Sequence, residues 1–259
     1  MTGLIVPLRL FHKAWLESRA RFFVGAVLLA AVTLALMRFF GRDVARLGMR
    51  PDAWLRSVSF TVFGGPPSMI FVLLALILGL GGLQRERAAG TASFTLVLPV
   101  SRLQLVGARV IVGLLETAAL AALPGLLVLS LASTFGGYPY PAMPALRNVV
   151  LWAVCGGVWF AAAFLWSVLI SAEMTATVVC LLTPLVWYTT ARYTELKRFP
   201  SLDVYGVMVG RTTEWSMPYH DFFSGQMVGP LPWATLAAFG AVAAGLFLAA
   251  AGLTERQSF

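Results

Sequence analysis

The chain has 259 residues, of which 59% are hydrophobic and only 12% charged, with a formal net charge of +8. An ordinary soluble domain carries about twice that charged fraction, so a water-exposed globular surface is excluded and a bilayer is the solvent that suits the composition. The positive charge is almost all arginine, with lysine only at positions 13 and 197, and it lies between apolar runs. This pattern points to lipid headgroups, not to nucleic acid.

In chain order, residues 4–21 interleave Leu8, Phe11, Trp15 and Leu16 with Arg9, Lys13, Arg19 and Arg21. The spacing predicts an interfacial amphipathic helix leading into a first membrane span. No small-x-small cleavage site follows the first apolar run, so that run reads as a retained helix, not a leader. A hydrocarbon core about 30 Å thick needs roughly 20 helical residues to cross. Six runs meet that need: Phe22–Met37 (to Phe40 if Arg38 snorkels), Ser57–Gln84, about Val110–Ser133, Asn148–Ala172, Met174–Ala191, and a stretch centred on Leu231–Leu253. The fold class is therefore an all-α membrane protein with six transmembrane helices in one domain spanning 1–259. Gly64, Gly65, Pro66 and Pro67 interrupt the second run, Pro124 the third and Pro184 the fifth. Each predicts a kink or, more sharply, a broken helix beside a pathway.

Six crossings place both ends on one side. With the N-terminus inside, nine basic residues are cytoplasmic and ten are not; omitting the long fifth loop leaves nine against six. Long loops count less toward orientation, so both termini are expected in the cytoplasm. That fifth loop, Arg192–Pro230, is expected to be extracytoplasmic and to hold short re-entrant or interfacial helices before the last span. By contrast, Ser171–Thr175 is a tight turn carrying Glu173.

The segment Arg85–Leu105 predicts a short semi-apolar helix capped by Thr91 and ended by Pro99. A second helix restarts there with Ser101 and Gln104 as a capping box, flanked by Val100 and Leu105 at the staple positions. An apolar helix between two crossings needs a surface to dock on, either the bilayer or a partner protein.

Two further features carry candidate roles. Glu116 is the one charge inside the third run, and an intramembrane carboxylate is costly. It either lines a pathway or, as the simpler reading, sits near the interface paired with arginine or reached by water. Trp152, Trp159 and Trp166 recur every seven residues and share a helix face. That stripe could border an apolar or lipid-like path, pack on a second subunit or face lipid. Gly156, Gly157 and Ala161–Ala163 on the same run predict close helix packing. Cys155 and Cys180 lie in apolar runs, and His12 and His220 are isolated, so neither a disulfide framework nor a metal site is expected.

The residues Glu86, Gly90-Thr91, Pro99-x-Ser101-Arg102 and Gly107-x-Arg109, following a second span, give this stretch its resemblance to ABC transporter permeases of the type-2 exporter class. The six-span layout, the amphipathic start and the long loop before the last helix fit the same resemblance. It implies a permease subunit that forms a translocation pathway with a second permease, identical or related, in a plasma membrane such as the bacterial inner membrane. Arg85, Glu86, Arg87, Gly90, Thr91, Pro99, Ser101 and Arg102 would form a coupling helix seated in a separate ATPase subunit, with Glu173 as a smaller contact. Arg109 stands where many members have lysine. No Gly-rich loop with Lys-Ser/Thr exists in this chain. ATP and Mg are accordingly expected in the partner, with no cofactor and no enzymatic activity here. The competing readings are an intramembrane enzyme, which would need Ser/His or paired acids at membrane depth, and a non-transporting anchor subunit.

Overall fold

The computed structural model describes residues 5–47, 50–80, 102–170, 172–193, 202–210 and 230–256. Among these residues every regular element is a helix. They are α1 (Ile5–Leu47), α2 (Pro51–Val58), a π-helical turn (Ser59–Phe63), α3 (Pro66–Gly79), α4 (Arg102–Gly136), α5 (Ala142–Leu169), α6 (Glu173–Tyr193), the short α7 (Val204–Met208) and α8 (Trp233–Arg256).

Six stretches are long and apolar enough to cross a membrane: Arg9–Arg42, Pro51–Gly79, Leu103–Gly136, Ala142–Leu169, Glu173–Ala191 and Trp233–Glu255. They match the six runs expected from sequence, extended by several residues at both ends of the first and third spans and at the starts of the second and fourth. The first differs most. The amphipathic stretch is helical, but no turn separates it from the span, and α1 runs unbroken for 43 residues. The local reason is that no proline or glycine lies between Leu8 and Val24, while Pro7 falls in the first helical turns, where its missing N–H costs little. The apolar face of this part also has a protein partner: Leu10 and Ala14 are buried, and α1 packs along α4 more extensively than any other pair of helices pack.

The second span is broken, not merely kinked. After α2 the chain widens into the π turn, closed by Gly64 N–H donating to the Ser59 carbonyl at 3.2 Å. Gly65 then turns to extended backbone and Pro66 starts α3 as a first-turn proline. Side chains hold the break from both sides. Ser59 Oγ meets Tyr140 Oη at 2.9 Å, Ser68 Oγ meets Tyr205 Oη at 2.9 Å, and the Trp54 indole donates to the Tyr138 carbonyl at 3.2 Å. Pro124 and Pro184, by contrast, sit inside helices that continue through them.

Helix α5 is the hub, packing on α8, α4, α3, α6 and α7. Trp152, Phe71, Phe63, Leu120 and Cys155 lie at the centre of the core. The expected close approach at Gly156 is present: a Cβ there would stand 2.5 Å from the Phe71 ring and 3.0 Å from Thr117. At Gly157, also buried, a Cβ would make only an ordinary contact, with Leu114 at 3.6 Å. Helix α4 ends at Gly137, whose φ of +75° is left-handed backbone suited to glycine.

Helix direction follows from these contacts. Arg21 of α1 reaches the Ile77 carbonyl near the end of α3, and Glu17 reaches Arg109 near the start of α4. At the opposite end, Gly41 abuts Phe135 and Trp54 abuts Gly136. The start of α1, the end of α3 and the start of α4 thus share one face of the bundle. Helix α5 runs away from the opposite face, so its end at Leu169 and Glu173 at the start of α6 return to that same face. Of the fifth loop, residues 202–210 are described and hold α7, whose Val204, Val207 and Met208 are buried and which packs on α5. Residues 194–201 and 211–229 lie outside the described residues.

Candidate functional site

Two places bring sequence-singled residues together. The first is the seam between α1 and α4. Glu17 and Arg21 lie one helical turn apart on α1, and Arg109 and Glu116 lie two turns apart on α4, so each pair shares a face. The seam closes these faces on one another. Arg109 is buried and its Nη2 donates to Glu17 Oε2 at 3.1 Å; Lys13 Nζ lies 3.7 Å from Glu17 Oε1. Glu116 is only 3% exposed. The Ser18 hydroxyl donates to its Oε1, whereas its Oε2 has no hydrogen-bond partner among the described residues.

Glu17, Ser18, Arg21, Arg109 and Glu116 all line one small cavity of about 30 Å³, closed on its far side by Phe160 and Phe164. A space of that size admits a water-sized group and nothing larger. Glu116 also borders the outer groove that holds His12 and Trp15. The simpler sequence reading placed Glu116 beside arginine near the interface; the structure supplies Arg21 and Arg109 along the same cavity wall and Ser18 as the direct partner. Sequence reasoning missed Glu17, Ser18 and Arg21 as members. The available signal was the matched spacing of acid and base on the two helices, which acquires meaning only once they pair.

The second place involves the tryptophan stripe, which divides. Trp152 is in the core, stacked on Phe71 with centroids 5.0 Å apart and edge-on to Phe63 at 6.2 Å. It lines no cavity. Trp159 and Trp166 instead border a cavity of about 500 Å³ between α5, α6 and α8, together with Thr183, Trp187, Phe239 and Val242. That volume is in the range of small-molecule sites, and its walls are almost wholly apolar. The division has a simple cause. A seven-residue repeat holds one helix face, but the face meets α3 at one level and the α6–α8 gap at another, because α6 packs on α5 and α3 and not closely on α8.

Of the expected coupling residues, Arg85, Glu86, Arg87, Gly90, Thr91, Pro99 and Ser101 lie outside the described residues. Arg102 is the first residue of α4, at the expected restart of the third span. Glu173 is exposed in the first turn of α6, where the helix dipole favours an acid.

Six long apolar helices, with α5 as the hub of their packing, define a multi-pass helical membrane protein. Compared with protein-family models, curated proteins and solved structures, the chain matches none of them.

Proposed function

We propose that this chain is the permease subunit of an ATP-driven exporter of the ABC type-2 class, working as a dimer with a second permease and a separate ATPase subunit in a plasma membrane. The observation that carries the reading is a juxtaposition. The chain leaves α3 at Leu80 and enters α4 at Arg102, and the residues between hold the Gly90-Thr91 and Pro99-x-Ser101-Arg102 pattern. That exit and re-entry share a face with the exposed Glu173 and the start of α1. In this reading Glu173 and the segment between those ends face one partner, as a subunit that pushes on the bundle from one side requires, and that face is cytoplasmic. The buried charges of the α1–α4 seam lie just beneath it, and a displacement at the surface would reach them first.

The test is purification of the tagged protein from native membranes in mild detergent, with mass spectrometry of what accompanies it. A stoichiometric ATPase bearing a phosphate-binding Gly-Lys-Ser/Thr loop is the expected result. In the isolated complex, Thr91→Asp and Pro99→Gly are expected to abolish stimulation of ATP hydrolysis without lowering the yield of folded permease. A partnerless protein, or stimulation unchanged in both variants, contradicts the proposal.

A further inference from the structure

The cavity between α5, α6 and α8 is long. Ala234, Ala238, Val242 and Leu246 recur every four residues along its α8 wall, and twelve residues at 1.5 Å each span about 18 Å. It follows the helix axis, as a chain extended across a leaflet would. Two of its polar groups are turned to backbone carbonyls instead of to an occupant. The Thr183 hydroxyl donates to the Val179 carbonyl at 2.8 Å and the Trp187 indole to the Leu202 carbonyl at 3.0 Å. The Trp159 indole nitrogen is buried, without a hydrogen-bond partner among the described residues. Among the described residues no charged side chain lines the walls. An occupant therefore meets dispersion contacts and almost no hydrogen-bond donors or acceptors, which suits hydrocarbon and disfavours water or a polar solute.

The cavity also opens sideways. Trp187 and Val242 belong to its lining and to the outer surface of α6 and α8, with exposures of 39% and 51%. Both helices cross the bilayer, so the opening gives onto lipid tails. We propose that this cavity binds one hydrocarbon chain of a membrane lipid, which enters between α6 and α8 and lies along α8 against Trp159 and Trp166. The inference needs only the six spans and does not depend on the permease proposal.

The experiment uses the full chain reconstituted in vesicles of phosphatidylethanolamine and phosphatidylglycerol doped with a phosphatidylcholine carrying a diazirine on one acyl chain. After illumination, adducts are mapped by mass spectrometry. Adducts on Trp159, Thr183 and Phe239 are expected to exceed those on the outward-facing Leu28 and Leu129. Filling the cavity with Ala238→Trp should bring the lining adducts down to the Leu28 and Leu129 level and leave the latter unchanged. Ala162→Leu, from the opposite wall, provides the same readout should the first variant fail to fold. Lining adducts in the wild-type protein no higher than those on Leu28 and Leu129 would overturn the proposal, whether residues 211–229 or a second copy of the chain holds the cavity instead. So would adducts that persist in both filled variants.

Discussion

Arg109 and Glu17 meet at 3.1 Å across the α1–α4 seam, with Arg109 buried and Glu17 partly so. Exposed ion pairs contribute about 0–1 kcal/mol, while breaking a buried one costs about 3–5 kcal/mol because a charge is left behind. This pair lies between the two cases, so Arg109→Gln is expected to cost about 2 kcal/mol. Thermal unfolding in detergent of Arg109→Gln, Glu17→Gln and the double variant should give a coupling of about 1 kcal/mol or more; strict additivity would show that the pair does not clamp α1 to α4. Tyr140, outside the spans and buried, is the second informative residue. Burial pushes its phenol up to about 12, with the Ser59 hydrogen bond opposing the shift. An acid whose folded value is raised favours the folded state while protonated. Its contribution is complete below about pH 10, the ordinary value, and is lost as pH rises toward 12. The loss amounts to about 3 kcal/mol over two pH units. Alkaline unfolding between pH 10 and 12 should be shallower in Tyr140→Phe, and the 295 nm titration difference between the two proteins should be centred near 12; a difference centred near 10 would contradict the burial.

Among the elements, α3 and α5 approach one another closely at Gly79. A Cβ on Gly79 would stand 2.6 Å from both the Ala163 Cβ and the Phe160 carbonyl oxygen, and backbone cannot yield cheaply. Gly79→Ala is expected to lower stability by about 1–3 kcal/mol. Gly240→Ala on α8, with nothing within 4 Å, is expected to be neutral or stabilising by up to about 1 kcal/mol. Equal melting temperatures for the two variants would deny that α3 and α5 are packed this tightly. What the sequence revealed at this scale was local. Uncharged runs near 20 residues marked the spans, Gly64–Pro67 marked the break, and Gly156 marked a close contact. What it concealed was pairing. Glu17 and Ser18 look like part of a solvated helix face until α4 supplies their partners, and the tryptophan repeat looks uniform until the neighbours of α5 change along its length. Glu116 was legible as a costly charge, but Ser18 lies 98 residues away in the chain, beyond the reach of any local pattern.

For the whole molecule, six crossings fix which connections share a side. The start of α1, the gap between Leu80 and Arg102, and Glu173 must lie together, while Asp52 at the start of α2 and Tyr138 between α4 and α5 lie opposite. The proposed function depends on that arrangement, because a single ATPase surface has to reach both the 81–101 segment and Glu173. The most direct measurement is side-specific labelling of single cysteines at Thr91, Glu173, Asp52 and Tyr138, in a background with the buried Cys155 and Cys180 replaced. With a membrane-impermeant maleimide on intact cells, the account predicts that positions 52 and 138 react at once, and that 91 and 173 react only after the membrane is permeabilised. Labelling of 91 and 173 from opposite sides, or of both in intact cells, would contradict it.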